Sequence, residues 1–383
     1  MKHLTAFLCA LLCCLLCGGM QVRAEDDSYT YDETLRTLME ASGTQALLES
    51  GGVEELLGGE ELDLSDPETL TSLSVGDVLN AALQDAVSAF VQPMKIFLLL
   101  LGVVLLSALA ETLQNGNGSV ATVYEVICVL CAVGTAAEPI SQVFLQSAQT
   151  LQQAADFMLS FSAVFGAVLA VGGGLTAATG YQSAMVIICE IAMELATRVL
   201  FPVLSMALAM SIVDAVNPAI SLEGLIKLMH KASVWILGFL MTIFLGMLSV
   251  QSMVAVSADR LGTRTTKYVI SNFVPFVGSA VSDAYSAVLG SMGILKSGVG
   301  MLGILALLTL LLPILLQLGV YRFLTAAAGA AAELFAVKRL TRLFRNMESV
   351  LATAFSVAVS FSVMFIVSTA IMILIGGNLL TSS

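Results

Sequence analysis

Charge is what this sequence has least of. Only 11% of its 383 residues are Asp, Glu, Lys or Arg, while 58% are hydrophobic and the mean hydropathy is +0.94. Soluble domains carry roughly 25% charged residues, so a chain of this length folding in water would lack the surface it needs. A water-soluble globule is excluded, as are a disordered and a disulfide-stapled chain, and a membrane protein is implied. Histidine is scarce as well, with His3 and His230 the two in the chain. There is no HExxH, no Gly-x-Ser-x-Gly, no Walker A loop and no dinucleotide glycine fingerprint. General-base catalysis has little to work with. The expectation is a protein that is not an enzyme, with no catalytic residue, no metal and no cofactor, whose energy comes from a partner or a gradient.

The charge that is present is unevenly placed. Sixteen acids stand between Glu25 and Asp85 against one base, Arg36, whereas twelve acids and thirteen bases follow from Ala86 onward. An acidic head therefore precedes a nearly neutral apolar body. Such a head repels nucleic acid and anionic headgroups, so no nucleic-acid partner is expected. Before it, Met1-Lys2-His3 is a basic start, Leu4 to Cys17 an apolar stretch, and Val22-Arg23-Ala24 a small-residue cleavage site, which reads as a signal peptide over 1–24. The apolar stretch is short of the roughly 20 residues that a crossing needs. The head, 25–92, then lies outside the cytoplasm. Its last helix sets Val75, Val78, Leu79, Ala82, Leu83, Val87 and Phe90 on one stripe, a face for a partner, for the membrane surface or for packing on the body. Of the seven cysteines, Cys9, Cys13, Cys14 and Cys17 leave with the leader; Cys128, Cys131 and Cys189 sit in apolar runs and read as buried small hydrophobes.

Apolar stretches long enough to cross a bilayer run at Ile96 to Leu113, Ser119 to Ala137, Phe157 to Ala178, Ser183 to Val213, Val234 to Val256, Tyr268 to Leu295, Val299 to Val320 and Val350 to Ile375. The fold class expected is all-α, a polytopic helical membrane protein of about eight spans. The sixth is a broken helix interrupted by Asn272, Pro275, Gly278 and Asp283, tolerated at membrane depth where protein or water surrounds it. With the head outside, Arg260, Arg264 and Lys267 fall in one cytoplasmic loop, and Arg322, Lys338, Arg339, Arg342 and Arg345 in another. Lys95, Lys227, Lys231 and Lys296 fall outside, so the bases follow the positive-inside tendency. A weak repeat also appears: Val164-Phe165-Gly166, Pro202 and Leu225-Ile226-Lys227-Leu228 recur in kind as Phe276-Val277-Gly278, Pro313 and Leu340-Thr341-Arg342-Leu343. It suggests a first helix pair at 93–138, units at 139–256 and 257–378 inverted as 3+3, and a tail at 379–383.

Ionised groups in lipid are the informative ones. Glu190, Glu194 and Arg198 recur at i, i+4 and i+8 of the fourth span, stacking on one helix face. They form either a polar face along an ion path or an internal salt bridge that fixes packing. Asp283 is a second candidate, or a cap on a half-helix. Small residues at Gly172 to Gly174, at Gly290, Gly293, Gly298, Gly300 and Gly303, and from Ala326 to Ala332 permit close helix approach. Gln142, Gln146, Gln149, Gln152 and Gln153 mark an interfacial or partner helix between the second and third spans.

The run Ser257-Ala258-Asp259-Arg260-Leu261-Gly262-Thr263-Arg264-Thr265-Thr266-Lys267, continuing through Ser271, Val274-Pro275-Phe276-Val277-Gly278 and Ser282-Asp283-Ala284, resembles the stage III sporulation protein AE family of endospore-forming bacteria. The likeness extends over the chain and takes in Ser74-Val75-Gly76-Asp77-Val78-Leu79 of the head. The resemblance implies a multi-pass protein of the mother-cell membrane around the forespore. It implies partners in a stage III sporulation complex: a cytoplasmic secretion-like ATPase, ring-forming subunits and a forespore-side protein, together forming a channel that sustains late forespore gene expression. Membrane lipid and a second copy of the chain complete the expected contacts. A self-sufficient secondary transporter with a midplane site at Glu190, Glu194, Arg198 and Asp283 is the competing expectation.

Overall fold

The computed structural model describes residues 75–113, 118–171, 175–217, 222–273 and 278–378; the leader and most of the acidic head lie outside the described residues. Long apolar runs without polar loops can satisfy their backbone only as helices, and that is what forms. The elements are α1 (Val75–Leu113), α2 (Gly118–Val171), α3 (Leu175–Leu195), a π-helical turn (Ala196–Leu200), α4 (Phe201–Val216), α5 (Glu223–Phe273), α6 (Gly278–Leu334) and α7 (Lys338–Asn378). One residue separates the π-turn from Pro202, which has no N–H to offer the carbonyl of Arg198. The Phe201 N–H bonds back to Ala196 instead, and the chain continues as α4 in the same direction.

A few contacts fix the order of the helix ends. The Tyr124 hydroxyl donates to the Leu106 carbonyl at 3.5 Å, which sets α1 and α2 antiparallel across the 114–117 connection. Arg339 at the start of α7 reaches the Val216 carbonyl at the end of α4. Asn346 reaches Asp214, and His230 near the start of α5 contacts Thr353. At the far end Ser368 lies against Met185, and Phe165 against Tyr181. Hence α2, α5 and α7 run away from the Arg339 end, while α1, α3 with α4, and α6 run toward it. Val75 and Asn378 both belong to the far end.

Among the described residues six stretches are long and apolar enough to cross a membrane: Val91–Ala110, Val123–Ala167, Ala178–Val216, Glu223–Gln251, Gly303–Leu334 and Lys338–Ile371. The regular structure among the described residues is all helical, and its apolar helices make this a multi-pass membrane protein. Of the eight expected segments, Ser119 to Ala137 and the part of Phe157 to Ala178 up to Val171 share the 54-residue α2, and a continuous helix cannot turn back between them. The expected glutamine connector is the middle of that helix. The unit boundaries at 138/139 and 256/257 likewise fall inside α2 and α5. The sixth segment straddles 274–277, which lie outside the described residues together with Pro275. The stretches compared as an inverted repeat run the same way: α4 and α6 both end, and α5 and α7 both begin, at the Arg339 end.

The centre of the bundle is α6 against α7, with Leu311, Leu318, Ala328, Leu343, Phe344, Leu351, Ala354 and Phe361 buried. Glycine and alanine permit the approach: Gly329 sits so near Phe344 that a Cβ would lie 3.3 Å from it, and a Cβ on Gly303 would overlap the ring of Phe161. That ring is held in a stack from Phe157 through Phe161 to Phe165, with centroid distances of 5.9 and 5.4 Å. Gly172 to Gly174 lie outside the described residues. Buried hydroxyls return to their own helix, as in Ser147 to the Val143 carbonyl at 2.6 Å, Ser211 to Ala207 at 2.7 Å and Thr325 to Tyr321 at 2.7 Å, so a polar atom enters an apolar core satisfied.

Candidate functional site

A membrane bundle concentrates its chemistry where ionised groups meet, and here that is the Arg339 end. The Arg339 guanidinium stands between three helices. Its Nε lies 2.6 Å from Glu125 Oε2 on α2, and its Nη1 donates to the Val216 carbonyl on α4 at 3.3 Å. That carbonyl belongs to the last turn of a helix, where acceptors have no intrahelical partner and a cation is favoured. Asp214, 1% exposed, accepts from the Leu222 N–H at 2.7 Å and from Asn346 Nδ2 at 3.4 Å. It thus closes the connection between α4 and α5 and ties both to α7. Arg322 pairs with Glu348 at 3.1 Å and Arg345 with Glu333 at 3.6 Å. Glu223 pairs with Lys227 at 2.5 Å on the first turn of α5.

This cluster departs from the expected placement of the bases. Lys227 and Lys231, expected on the face opposite Lys338 to Arg345, lie at the same end as they do, because α5 and α7 start together. Arg260, Arg264 and Lys267, expected beside the Lys338 group, lie beyond the span Glu223–Gln251 of an unbroken helix. A helix of 51 residues extends about 76 Å, so they belong toward the far end. Their side chains, and those of Asn272 and Asp283, lie outside what the structure describes. Gly278 is the first residue of α6.

Glu194 and Arg198 pair at 2.9 Å across one helical turn, and their side chains are 58% and 75% exposed. Glu190 is also exposed. The three share the outer face of α3 and the π-turn with Val186, Ile187 and Ile191, all outward. On α2, Glu138, Gln142, Gln146, Gln149, Gln153, Asp156 and Ser160 recur at steps of three and four and are all exposed, so they too form one outer stripe. Among the described residues of the expected midplane set, Glu190, Glu194 and Arg198 face outward and do not enclose a cavity. A separate groove on the outside of α5 is lined by His230, Lys231, Val234, Trp235, Gly238, Phe239 and Thr242, with Trp235 stacked on Phe239 at 5.9 Å.

Cys128 and Cys189 are buried, but Cys131 is exposed, which corrects its reading as a buried small hydrophobe: it falls on the outer side of α2. Among the described residues no three His, Cys, Asp or Glu side chains converge as a metal site. Sequence reasoning missed Asp214, Asn346, Glu125 and Glu348. The available signal was an acid at each of Glu125, Asp214 and Glu348 near the end of an apolar run, but only the fold shows which bases answer them.

Comparison with known proteins gives the family. A family model described as Stage III sporulation protein AE matches residues 67–376, which takes in every helix from α1 to nearly the end of α7. The stage III sporulation protein AE of Bacillus subtilis (strain 168) is 28% identical over 160 residues, a stretch that covers 42% of this chain and 40% of that relative's length. No solved structure matches. With the match running through the six apolar stretches found among the described residues and the polar end that ties them together, this chain belongs to the stage III sporulation protein AE family.

Proposed function

We propose that this chain is a non-enzymatic, multi-pass membrane component of a channel or secretion-like complex linking mother cell and forespore, needed for late forespore gene expression. The observation that carries this reading is the outward placement of the charged groups along α3 and its π-turn: Glu190, Glu194 and Arg198 face away from the bundle. A transporter that works alone needs its charged groups turned inward around a substrate. A component of a larger assembly needs them turned outward, toward what covers them.

The Arg339 end is cytoplasmic in this proposal. Lys227, Lys231, Arg322, Lys338, Arg339, Arg342 and Arg345 gather there, against Lys95, Arg260, Arg264, Lys267 and Lys296 toward the far end, in keeping with the excess of bases on cytoplasmic faces. The acidic head then stands outside the cytoplasm, in the mother-cell membrane around the forespore, where ring-forming subunits meet it. The cytoplasmic ATPase meets the exposed Lys338, Arg342 and Arg345. Purification of a tagged copy from sporulating cells tests the proposal. The ATPase and ring-forming subunits are expected to accompany it, and the isolated chain is expected to move no solute in vesicles. A chain that arrives alone and conducts a solute that Glu194→Gln abolishes would instead be the transporter.

A further inference from the structure

Lys95 is an exposed cation inside the α1 span Val91–Ala110, and among the described residues no acid pairs with it. Glu138 is an exposed anion inside the α2 span Val123–Ala167, and its described hydrogen bond comes from Gln142 on its own helix at 3.4 Å. An ionised side chain turned to hydrocarbon is costly, and the cost falls when an opposite charge covers it. These two groups are also level with each other. Because Tyr124 meets Leu106 across antiparallel helices, residues counted back from Leu106 match residues counted forward from Tyr124. Gln92 is therefore level with Glu138, and Lys95 with Thr135, to within about one helical turn.

Gln92 and Lys95 are three apart on α1, and Glu138 and Gln142 are four apart on α2, so each pair shares one helix face. Exposed Met94 and Leu98 flank the first pair, and exposed Leu145 flanks the second. Each face has a cation or an anion, an amide and an apolar border, and each complements the other.

We propose that two copies of this chain pair about a two-fold axis along the membrane normal, Gln92 and Lys95 of each meeting Glu138 and Gln142 of the other. Copies inserted in one membrane hold these groups at the same depth without any adjustment. Because α1 and α2 are neighbours in one chain, a two-fold axis beside them makes both contacts at once, as an isologous interface requires. Each dimer covers two ion pairs and four amides. The inference does not depend on which complex the chain serves.

Two differently tagged full-length chains, co-expressed in membranes with all seven native cysteines replaced by alanine, provide the test. One carries Lys95→Cys and the other Glu138→Cys, so a disulfide between the tags forms only between copies. The expected result is an oxidant-dependent band containing both tags. Charge reversal by Lys95→Glu or Glu138→Lys should lower co-capture of the cysteine-free tagged copies by about tenfold, and the double reversal in one chain should restore it, with the unfolding midpoint unchanged throughout. A bridge that forms only inside a chain carrying both cysteines, a bridge to a different protein at either site, or co-capture indifferent to the reversals would overturn the proposal.

Discussion

Arg339 and Glu125 meet at 2.6 Å although more than two hundred positions separate them in the chain. The contact places the start of the last helix on the start of the second. With the Val216 carbonyl as its other partner, Arg339 joins three helices at one end of the bundle. Replacing it with alanine leaves Glu125 and the carbonyl unanswered in a half-buried setting. A loss of about 1–2 kcal/mol is expected, below the value for a fully buried pair because Glu125 is partly wetted. Lysine should not rescue it, since one ammonium lacks the fork that serves two acceptors. Thermal unfolding in detergent checks both: Arg339→Lys and Arg339→Ala should fall together, with Glu125→Gln above them.

Asp214 distinguishes two kinds of loss. Asp214→Ala removes the acceptor for the Leu222 N–H and for Asn346 at a buried site, which should cost about 2–3 kcal/mol. Asp214→Asn keeps one carbonyl oxygen for Leu222, and Asn346 can turn its own amide to present oxygen, so it should cost less than half as much. Equal midpoints for the two variants would rule out the hydrogen-bonding role.

The turn from α6 to α7 offers a gain. The Val337 N–H bonds to the Ala332 carbonyl and the Ala336 N–H to the Glu333 carbonyl, which is the Schellman pattern, with Ala336 at the left-handed position, φ 60°. Alanine pays a steric penalty there that glycine avoids. Ala336→Gly should raise stability by about 1 kcal/mol, read as a higher unfolding midpoint at unchanged helicity.

Gly303 offers the opposite. A Cβ there overlaps the Phe161 ring, which is buried and stacked against Phe157 and Phe165. Gly303→Leu should destabilise by at least about 3 kcal/mol through overpacking. Phe161→Ala in the same chain should recover part of the loss. Recovery measured as yield of folded protein would locate the clash at that ring.

Orientation is open to labelling from outside intact cells. In a chain with its own cysteines replaced, Lys338→Cys should stay unreactive to an impermeant maleimide until the membrane is opened. Asn378→Cys and Arg264→Cys should react at once. Reaction at position 338 with protection at 378 would reverse the proposed orientation, and protection at 264 would return that helix segment to the cytoplasmic side.

Much was legible in the sequence because hydrocarbon imposes a simple rule: a backbone in lipid must bond to itself, so apolar runs near twenty residues read as helices. The pairing of Glu194 with Arg198 was legible for a related reason, since a spacing of four is one helical turn. The run from Ser257 to Lys267, with its continuation to Ala284, carried the family likeness. The division into eight was less secure, because the polar stretch between Ala137 and Phe157 reads equally as a connector or as the wet side of a longer helix, and local composition has no term that separates the two.

What the sequence determined by itself was therefore the helical, membrane-crossing character of the chain and its family, both of which follow from local composition and local motif. The tertiary structure decided which helix ends share a side, and with them the partners of Arg339, Asp214 and His230. Direction along a helix is known from the chain, but whether two helices meet depends on side-chain packing summed over the whole bundle, as where Gly303 admits Phe161, and no stretch of sequence contains that sum.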